Sequence, residues 1–527
     1  MLETSRLSRL FGRDYVLLLV VCLALYGVAL IDGRPLSGHE SVLPQNAREM
    51  MVNHSWMIPT MGGKPWLERP PVPDWIMVGI GEIIGRCDQD WIVRIGPLLM
   101  ACLVVFLVAG MAARWYGRAV GLVSGLILAT MWEFYTFATD PEGDMFLCVV
   151  VTAAMAVFAR LQTDTDAAEA DGRISLFGPR PWRVWAFFAL LAMTNWAKGP
   201  IFGTLMVGVP VSGYLLATGS WQAVRRYLWW WGVVIFAVLA LAWPVIVYLR
   251  YPGIMDLWRD LFGDRVHQSP FTEPWWYYAV QVPYITLPWS LLALGGLLWT
   301  ARPAWRERFS PERFLWIWAI LTPAVFSIPH GKHHHYLLQC MAPWAVLAGL
   351  AAVRVWEAIP SWPVWLRQPL VGAAVLSVPA DVAIILLRHK LRGPVGFVPA
   401  LLVAVPLCLF VLGWLVNQRR GRLAVGGVFA VLIGFYGLLY DYQTRYFNSY
   451  ADDLPLLRQA SDLARAGSRV FVSFDVVYPL ETFHLMFYSD KHVNLLYNLT
   501  FLLDNAIHEQ DVYVLGRACE QAELSQY

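Results

Sequence analysis

The chain has 527 residues, of which 58% are hydrophobic and 15% are charged. A soluble protein has roughly 25% charged residues, so this composition excludes an ordinary water-soluble globular protein. The formal net charge is +2 and no basic run is present, which argues against nucleic acid as a partner. The seven cysteines form no CxxC pair, which argues against a disulfide framework or a zinc site.

The N-terminal segment combines Arg6, Arg9 and Arg13 with an apolar run at 15–31. This arrangement is similar to a signal peptide, but no small-x-small cleavage site follows the apolar run. We therefore expect a first transmembrane helix that is retained.

Apolar runs of about 20 residues, the length that a helix needs to cross a bilayer, recur along the chain. They predict an all-α polytopic membrane protein with about 13 transmembrane helices in a domain at 1–441. The predicted spans are 15–31, 93–113, 118–138, 144–162, 182–197, 199–218, 227–249, 275–300, 314–328, 336–354, 369–387, 396–416 and 423–441.

Basic residues are unevenly distributed between alternate loops. One set of loops holds clusters such as Arg302, Arg306 and Arg308, whereas short loops of the other set carry a single cation such as Lys198 or Lys332. Cytoplasmic loops are enriched in Lys and Arg. We therefore expect the N-terminus in the cytoplasm and the second set of loops outside.

Two segments are predicted to lie outside the membrane. Residues 32–92 form a first extracytoplasmic loop that mixes Trp, Pro and charge in the manner of short interfacial helices. The tail at 442–527 combines a helical stretch, Leu454–Ala466, with strand-like runs at 470–474 and 512–515. This pattern predicts a small extracytoplasmic α/β domain.

Polar motifs in the first outer loop carry a resemblance to a known family. The loop contains Ser37-Gly-His-Glu40, an Ala-Arg-Glu-Met run, and a Glu-Arg-Pro-Pro-Val-Pro run from Glu68. It resembles the GT-C superfamily of polyprenyl-phosphate sugar transferases, in particular the lipid A aminoarabinose transferases and the protein O-mannosyltransferases. That family has an Asp-Glu pair in the first motif and Glu-Lys-Pro-Pro-Leu-Pro in the last. Here His39 replaces the Asp and Arg69 replaces the Lys.

The resemblance implies that the acidic residue of the first motif, here Glu40, deprotonates or orients an acceptor hydroxyl. His39 is a second candidate base, because the unperturbed pKa of imidazole is near neutrality. The alternative is that both residues cap or solvate an interfacial helix. Arg69, beside Glu68, can bind two phosphate oxygens at once, with an interfacial salt bridge as the alternative.

Two further motifs follow in the order of the family. Asp144 begins an Asp-Met-Phe-Leu run that matches the family's Asp-Met-x-Leu, with Asp140 as a second candidate. A carboxylate at the start of a span is either functional or an N-cap. Lys198 lies in Ala-Lys-Gly, where the family has Thr-Lys-Gly. An ammonium between two apolar segments needs an anionic partner unless it snorkels to the interface.

The loop from Ser327 ends in Lys-His-His-His-Tyr-Leu-Leu, where Lys332, His335 and Tyr336 match a further family motif. These three residues at a helix start are candidates to hold a lipid phosphate, or else they solvate the loop. Three consecutive histidines do not share a helix face, so they do not by themselves predict a metal site. The resemblance leaves open whether a divalent metal binds near Glu68, with His267 as a candidate second ligand.

Together these motifs predict a membrane glycosyltransferase, in a bacterial inner (plasma) membrane, that acts on the extracytoplasmic face. It would move a sugar from a polyprenyl-phosphate donor to a hydroxyl of a lipid, a glycan or a protein. Glu40 or Asp144 would activate that hydroxyl, and the cationic residues and Tyr336 would hold the lipid phosphate. The alternatives are a lipid or sugar transporter, and a non-catalytic relative that binds lipid phosphate, which His39 keeps open.

Overall fold

The computed structural model is mostly helical. It describes residues 2–31, 34–163, 176–199, 201–263, 273–358, 436, 454–466, 469–473, 487–488, 494–496 and 512–515. The helices are α1 (Leu2–Tyr26), α2 (Val28–Ile31), α3 (Val42–Asn53), α4 (Val72–Ile84), α5 (Asp90–Tyr116), α6 (Arg118–Ala129), α7 (Trp132–Thr139), α8 (Asp144–Thr163), α9 (Trp182–Lys198), α10 (Phe202–Thr218), α11 (Trp221–Tyr227), α12 (Trp230–Arg250), α13 (Ile254–Gly263), α14 (Tyr277–Ile285), α15 (Ser290–Arg306), α16 (Pro311–Phe326), the 3₁₀ helix η1 (His334–Cys340), α17 (Met341–Ala358) and α18 (Leu454–Arg465). The strands are β1 (Thr60–Met61), β2 (Lys64–Pro65), β3 (Arg469–Ser473), β4 (Asn494–Leu496) and β5 (Val512–Leu515).

The long apolar helices agree with the predicted integral membrane protein. Within the described ranges, four helical runs are long and apolar enough to cross a bilayer, and two bent pairs raise that number to six. The four runs are Asp90–Tyr116, Asp144–Gln162, Trp230–Arg250 and His334–Ala358. The predicted spans at 369–387, 396–416 and 423–441 lie outside the described residues, so the count of 13 stays a prediction.

Two predicted spans, 118–138 and 275–300, are not single helices. Helices α6 and α7 meet at 64°, and α14 and α15 meet at 114°. The Thr130 hydroxyl, directly after α6, donates back to the Leu126 carbonyl at 2.8 Å, a bond that favours a bend. Pro288, between α14 and α15, has no N–H to continue a helix and disfavours helical geometry in the residue before it.

Glycines bring neighbouring helices into backbone contact. A Cβ atom on Gly296 of α15 would lie 2.1 Å from the carbonyl oxygen of Leu347 in α17. A Cβ atom on Gly349 of α17 would lie 2.2 Å from the hydroxyl oxygen of Ser124 in α6. Small residues commonly permit such close approach inside a bilayer, where hydrophobic burial does not drive helices together. The contact of α17 with α15 and α6 thus depends on these two positions.

The first outer segment folds as the helices α3 and α4 with a small antiparallel hairpin, β1–β2, between them. The carboxylate of Glu49 in α3 accepts hydrogen bonds from the hydroxyl of Thr60 at 2.6 Å and from the N–H groups of Gly62 and Gly63 at 2.6 and 3.1 Å. The glutamate of the Ala-Arg-Glu-Met run therefore fixes the hairpin that precedes the Pro-Pro motif.

Asp74, in the first turn of α4, is buried with 1% of its surface exposed. Burial raises the pKa of this carboxyl to about 8, although Asn46 and the charge of Arg69 favour the ionised form. Asp74 is therefore mostly protonated at neutral pH in the folded protein.

In the tail, β3 lies between β4 and β5 in a parallel sheet, and α18 packs against β3 and β5. The predicted helix and both predicted strands are present, whereas most of 442–527 lies outside the described residues. The division into domains stays a prediction. Tyr488 joins the tail to the first loop, since its hydroxyl accepts from the N–H of Leu36 at 2.6 Å and donates to Asp90 at 2.5 Å.

We expect Gly296→Ala to lower the free energy of unfolding by about 1–3 kcal/mol, because its methyl group would displace the backbone of α17. Gly295→Ala is the matched control, since a Cβ atom there would have no neighbour within 4 Å. Alanine favours the helix, so this control should be neutral or stabilising. Thermal unfolding in detergent measures both, and equal midpoints would contradict the packing described.

We expect the unfolding midpoint to fall as the pH rises from about 4 to about 8, because folded Asp74 retains a proton that the unfolded chain has lost. Asp74→Asn should flatten this part of the pH dependence. Asp88→Asn is the control: Arg86 lowers the pKa of Asp88 despite partial burial, so Asp88 adds little slope above pH 5. Identical slopes in the wild type and Asp74→Asn would refute the assignment.

Candidate active site

Arg34 organises two carboxylates at the end of the bundle where α5 and α8 begin. Its Nη2 atom donates to Glu40 and, at 2.8 Å, to Asp140. The N–H of Ser37 donates to the second oxygen of Glu40 at 2.8 Å, and the guanidinium of Arg94 lies 3.9 Å from Glu40. Both oxygens of Glu40 are thus engaged, and its side chain is 4% exposed.

The two carboxylates favour different charge states. Burial opposes ionisation of Glu40, but Arg34 and Arg94, with the N–H of Ser37, hold its pKa below the ordinary value. Burial and the charge of Glu40 raise the pKa of Asp140 well above its ordinary value, and Arg34 only partly offsets them. Glu40 is therefore the ionised member of the pair.

His39 forms a second pair with Glu142, in the turn before α8. The Nδ1 atom of His39 lies 2.8 Å from the Glu142 carboxylate, and the imidazole is 42% exposed. The hydrogen bond with Glu142 raises the pKa of His39, although partial burial and the charge of Arg69 oppose the shift. A carboxylate at Nδ1 favours the tautomer in which Nε2 accepts a proton.

Asp144 and Lys198 form a buried ion pair that joins the start of α8 to the end of α9. The Lys198 ammonium also lies 5.3 Å from the ring centroid of Tyr336 and 5.5 Å from that of Phe202. Ring faces attract cations, so the two aromatic side chains complete the surroundings of Lys198. The anionic partner that the sequence required for this lysine is Asp144.

Arg69 enters the same region from the loop before α4. Its charge acts on His39, Asp144 and Lys198, so the guanidinium lies within electrostatic range of all three. The indole of Trp258 in α13 holds this loop through a 2.9 Å hydrogen bond to the Leu67 carbonyl. Within the described ranges, no hydrogen bond or ion pair engages Arg69 or Glu68.

The side chains of the loop that contains Lys332, His334 and His335 contact different partners. The Nδ1 atom of His334 lies 2.5 Å from the buried carboxylate of Glu133. His335 packs edge-on against Tyr336, with 4.8 Å between ring centroids, and lies within electrostatic range of Asp144 and Lys198. Lys332 instead donates to the backbone carbonyl of Glu273 at 2.7 Å.

The structure thus brings most of the predicted site residues into one cluster. Its members, called here the His39 cluster, are His39, Arg69, Glu142, Asp144, Lys198, His335 and Tyr336. Glu40 lies in the neighbouring network of Arg34. The predicted contact of Lys332 with a lipid phosphate is untested, and its observed partner is a backbone carbonyl.

Four further residues of this region were not identified from the sequence: Arg34, Arg94, Glu133 and Glu142. The position of Arg94 could have marked it as a candidate site residue, because a charged residue in the second turn of an apolar span is rare. Its three side-chain nitrogens meet no hydrogen-bond acceptor among the residues described. Glu142 lies within the motif around Asp144, but its pairing with His39 depends on the fold.

Within the described part of the chain, no three His, Cys, Asp or Glu side chains come together as a metal site. His267 lies outside the described residues. A divalent metal at Glu68 therefore stays a prediction.

The chain is similar in sequence to known sugar transferases. Residues 68–248 match the family model described as dolichyl-phosphate-mannose-protein mannosyltransferase. Two relatives, from Aeromonas salmonicida and Erwinia tasmaniensis, are each named undecaprenyl phosphate-alpha-4-amino-4-deoxy-L-arabinose arabinosyl transferase. They are 28% identical over 343 residues and 27% identical over 359 residues, and the alignments cover 61% and 65% of this chain. The chain spans 57% and 60% of these two relatives.

Solved structures share the fold. The crystal structure of ArnT from Cupriavidus metallidurans bound to undecaprenyl phosphate superposes with a TM-score of 0.75 at 21% identity, covering 97% of this chain and 94% of that one. The archaeal oligosaccharyltransferase AglB from Archaeoglobus fulgidus gives a TM-score of 0.52 at 12% identity, covering 93% and 64% of the two chains. The chain is therefore similar in sequence to polyprenyl-phosphate sugar transferases, and it shares the fold of ArnT.

Proposed function

We propose that the protein transfers a sugar from a polyprenyl-phosphate carrier to an acceptor hydroxyl on the extracytoplasmic face of the membrane. The observation that carries this proposal is the convergence of Arg69 and Lys198 with the His39–Glu142 pair. Displacement of a phosphate from an anomeric carbon requires cations that stabilise the leaving phosphate and a base that accepts the hydroxyl proton. Arg69 and Lys198 are the cations, and His39 is the base that Glu142 orients. Asp144 and Lys198 lie at helix ends, whereas His39, Arg69 and Glu142 lie in the connecting segments.

Arg69 is suited to hold the carrier phosphate. Its guanidinium can donate two parallel hydrogen bonds to phosphate oxygens, and Pro70 and Pro71 stiffen the backbone that presents it. Lys198 is fixed by Asp144 and adds a second positive charge. These charges would stabilise the phosphate as it leaves with the electrons of the broken bond.

His39 is suited to be the base, in place of the family's aspartate. The oxygen of the acceptor hydroxyl bonds to the anomeric carbon, the bond from that carbon to the phosphate oxygen breaks, and the hydroxyl proton passes to Nε2 of His39. Glu142 orients the imidazole and stabilises the cation that forms. Glu40 is less suited, because Arg34 and Ser37 already engage its two oxygens.

The names of the two bacterial relatives suggest the first donor to test. Undecaprenyl phosphate carrying 4-amino-4-deoxy-L-arabinose is the donor that those names state. A lipid, a glycan or a protein hydroxyl is the acceptor class, with lipid A as the first choice by the same resemblance. The bacterial inner membrane is the proposed location, with the His39 cluster facing outward.

We expect Arg69→Ala to lower kcat/KM for transfer from this labelled donor by roughly 100-fold, because the leaving phosphate loses its bidentate partner. The control is Arg86→Ala: Arg86 lies in the same outer segment and is 53% exposed beside Asp88. Purified protein in detergent with radiolabelled donor and lipid A provides the assay. Full activity of Arg69→Ala would overturn this role, and donor binding without turnover in the wild type would identify a non-catalytic relative.

We expect Glu142→Gln to shift the acidic limb of the pH profile of kcat/KM toward lower pH. A base works when unprotonated, so activity rises as the pH passes the pKa of His39, and loss of the Glu142 charge lowers that pKa. The plateau should also fall, because the imidazole is no longer oriented. Glu82→Gln, at an exposed position of α4, is the matched control. An unmoved acidic limb in Glu142→Gln would exclude His39 as the base.

A further inference from the structure

A cavity of about 340 Å³ lies between α1, α5, α8 and α9, away from the His39 cluster. Its walls are mostly apolar, with Leu103, Phe106, Ala156 and Val157 among the lining residues. Ligand pockets commonly have roughly 300–1,000 Å³, so the volume is sufficient for a bound molecule. Leu103 is 46% exposed, so this wall continues onto the outer, lipid-facing surface of α5.

Three arginines border the same cavity. Arg114 and Arg160 lie in the last turns of α5 and α8, and Arg183 lies in the first turn of α9. The hydroxyl-bearing Tyr15 and the indole-bearing Trp182 complete the polar border, and the guanidinium of Arg183 lies 5.7 Å from the Trp182 ring.

Helix lengths show that this cavity is at the opposite membrane face from the candidate active site. Arg160 lies about 24 Å beyond Asp144 along α8, at 1.5 Å per residue. Arg183 and Lys198 lie about 22 Å apart along α9 by the same rise. In the orientation predicted from the distribution of arginine, the cavity therefore opens at the cytoplasmic leaflet.

We propose that this cavity binds an anionic phospholipid of the cytoplasmic leaflet, with the headgroup phosphate on Arg114, Arg160 and Arg183 and an acyl chain against the apolar wall. Arginines bind phosphate oxygens in pairs, and basic pockets between transmembrane helices at this face suit anionic headgroups. The apolar wall and the exposed Leu103 favour a lipid over a free anion. The proposed lipid site lies at the other end of the bundle from the candidate active site. Lipid binding there is independent of the transfer reaction.

The test uses the full chain in nanodiscs of phosphatidylcholine with or without phosphatidylglycerol, and native mass spectrometry counts the phosphatidylglycerol that stays bound. The wild type should retain it. The triple variant Arg114→Gln/Arg160→Gln/Arg183→Gln should bind it about 100-fold more weakly. Ala156→Phe, which fills the cavity and keeps every arginine, should also lose it.

The matched control removes three exposed arginines at the C-terminal end of α15 and just beyond it, as Arg302→Gln/Arg306→Gln/Arg308→Gln, and should retain the lipid. Phosphatidylglycerol retention equal to the wild type in the pocket triple variant or in Ala156→Phe would overturn the proposal. Displacement of the lipid by inorganic phosphate alone would show a site for a free anion. Preferential retention of undecaprenyl phosphate would show a site for the carrier lipid, and either result would overturn the phospholipid assignment.

Discussion

The buried ion pair between Asp144 and Lys198 links the start of α8 to the end of α9 within the candidate site. A single charge buried at a membrane-spanning helix is costly, so each of these residues needs the other. The carboxylate lies at the N-terminus of α8 and the ammonium at the C-terminus of α9, the ends that favour their respective charges. The pair thereby fixes two helix ends against each other, and the aromatic rings of Phe202 and Tyr336 pack around the lysine.

The same constraint accounts for the neighbouring network. Arg34 pairs with the ionised Glu40 and also donates to Asp140, and Glu133 pairs with His334. The end of the bundle is therefore a set of fixed charges with little freedom to reorient. Such preorganisation is what electrostatic stabilisation of a leaving phosphate requires, since no reorganisation is needed during the reaction. Arg69 stands apart from these pairs, which is why its guanidinium is the group best suited to an incoming phosphate.

Part of this arrangement could be predicted from the residues alone. Apolar runs located the long helices α5, α8 and α12, and the motifs around Asp144 and Lys198 marked charges that needed partners. The breaks within 118–138 and 275–300 were not predicted, because an apolar run records the length of a buried segment and not the direction of its axis. The role of Glu142 was also missed, since its distance from His39 depends on how the turn before α8 meets the first loop.

The sequence by itself determined that the chain is an integral membrane protein, since the apolar runs are long enough to cross a bilayer and contain few charged residues. It also marked Asp144 and Lys198 as charged residues that had to be functional or paired. Only the tertiary structure decided the pairs: Asp144 with Lys198, His39 with Glu142, and Arg34 with Glu40 and Asp140. Except for Arg34 and Glu40, these partners are 54 to 106 positions apart in the sequence and meet only when the chain packs. Electrostatic energy depends on distance in space and on burial, neither of which the linear order contains.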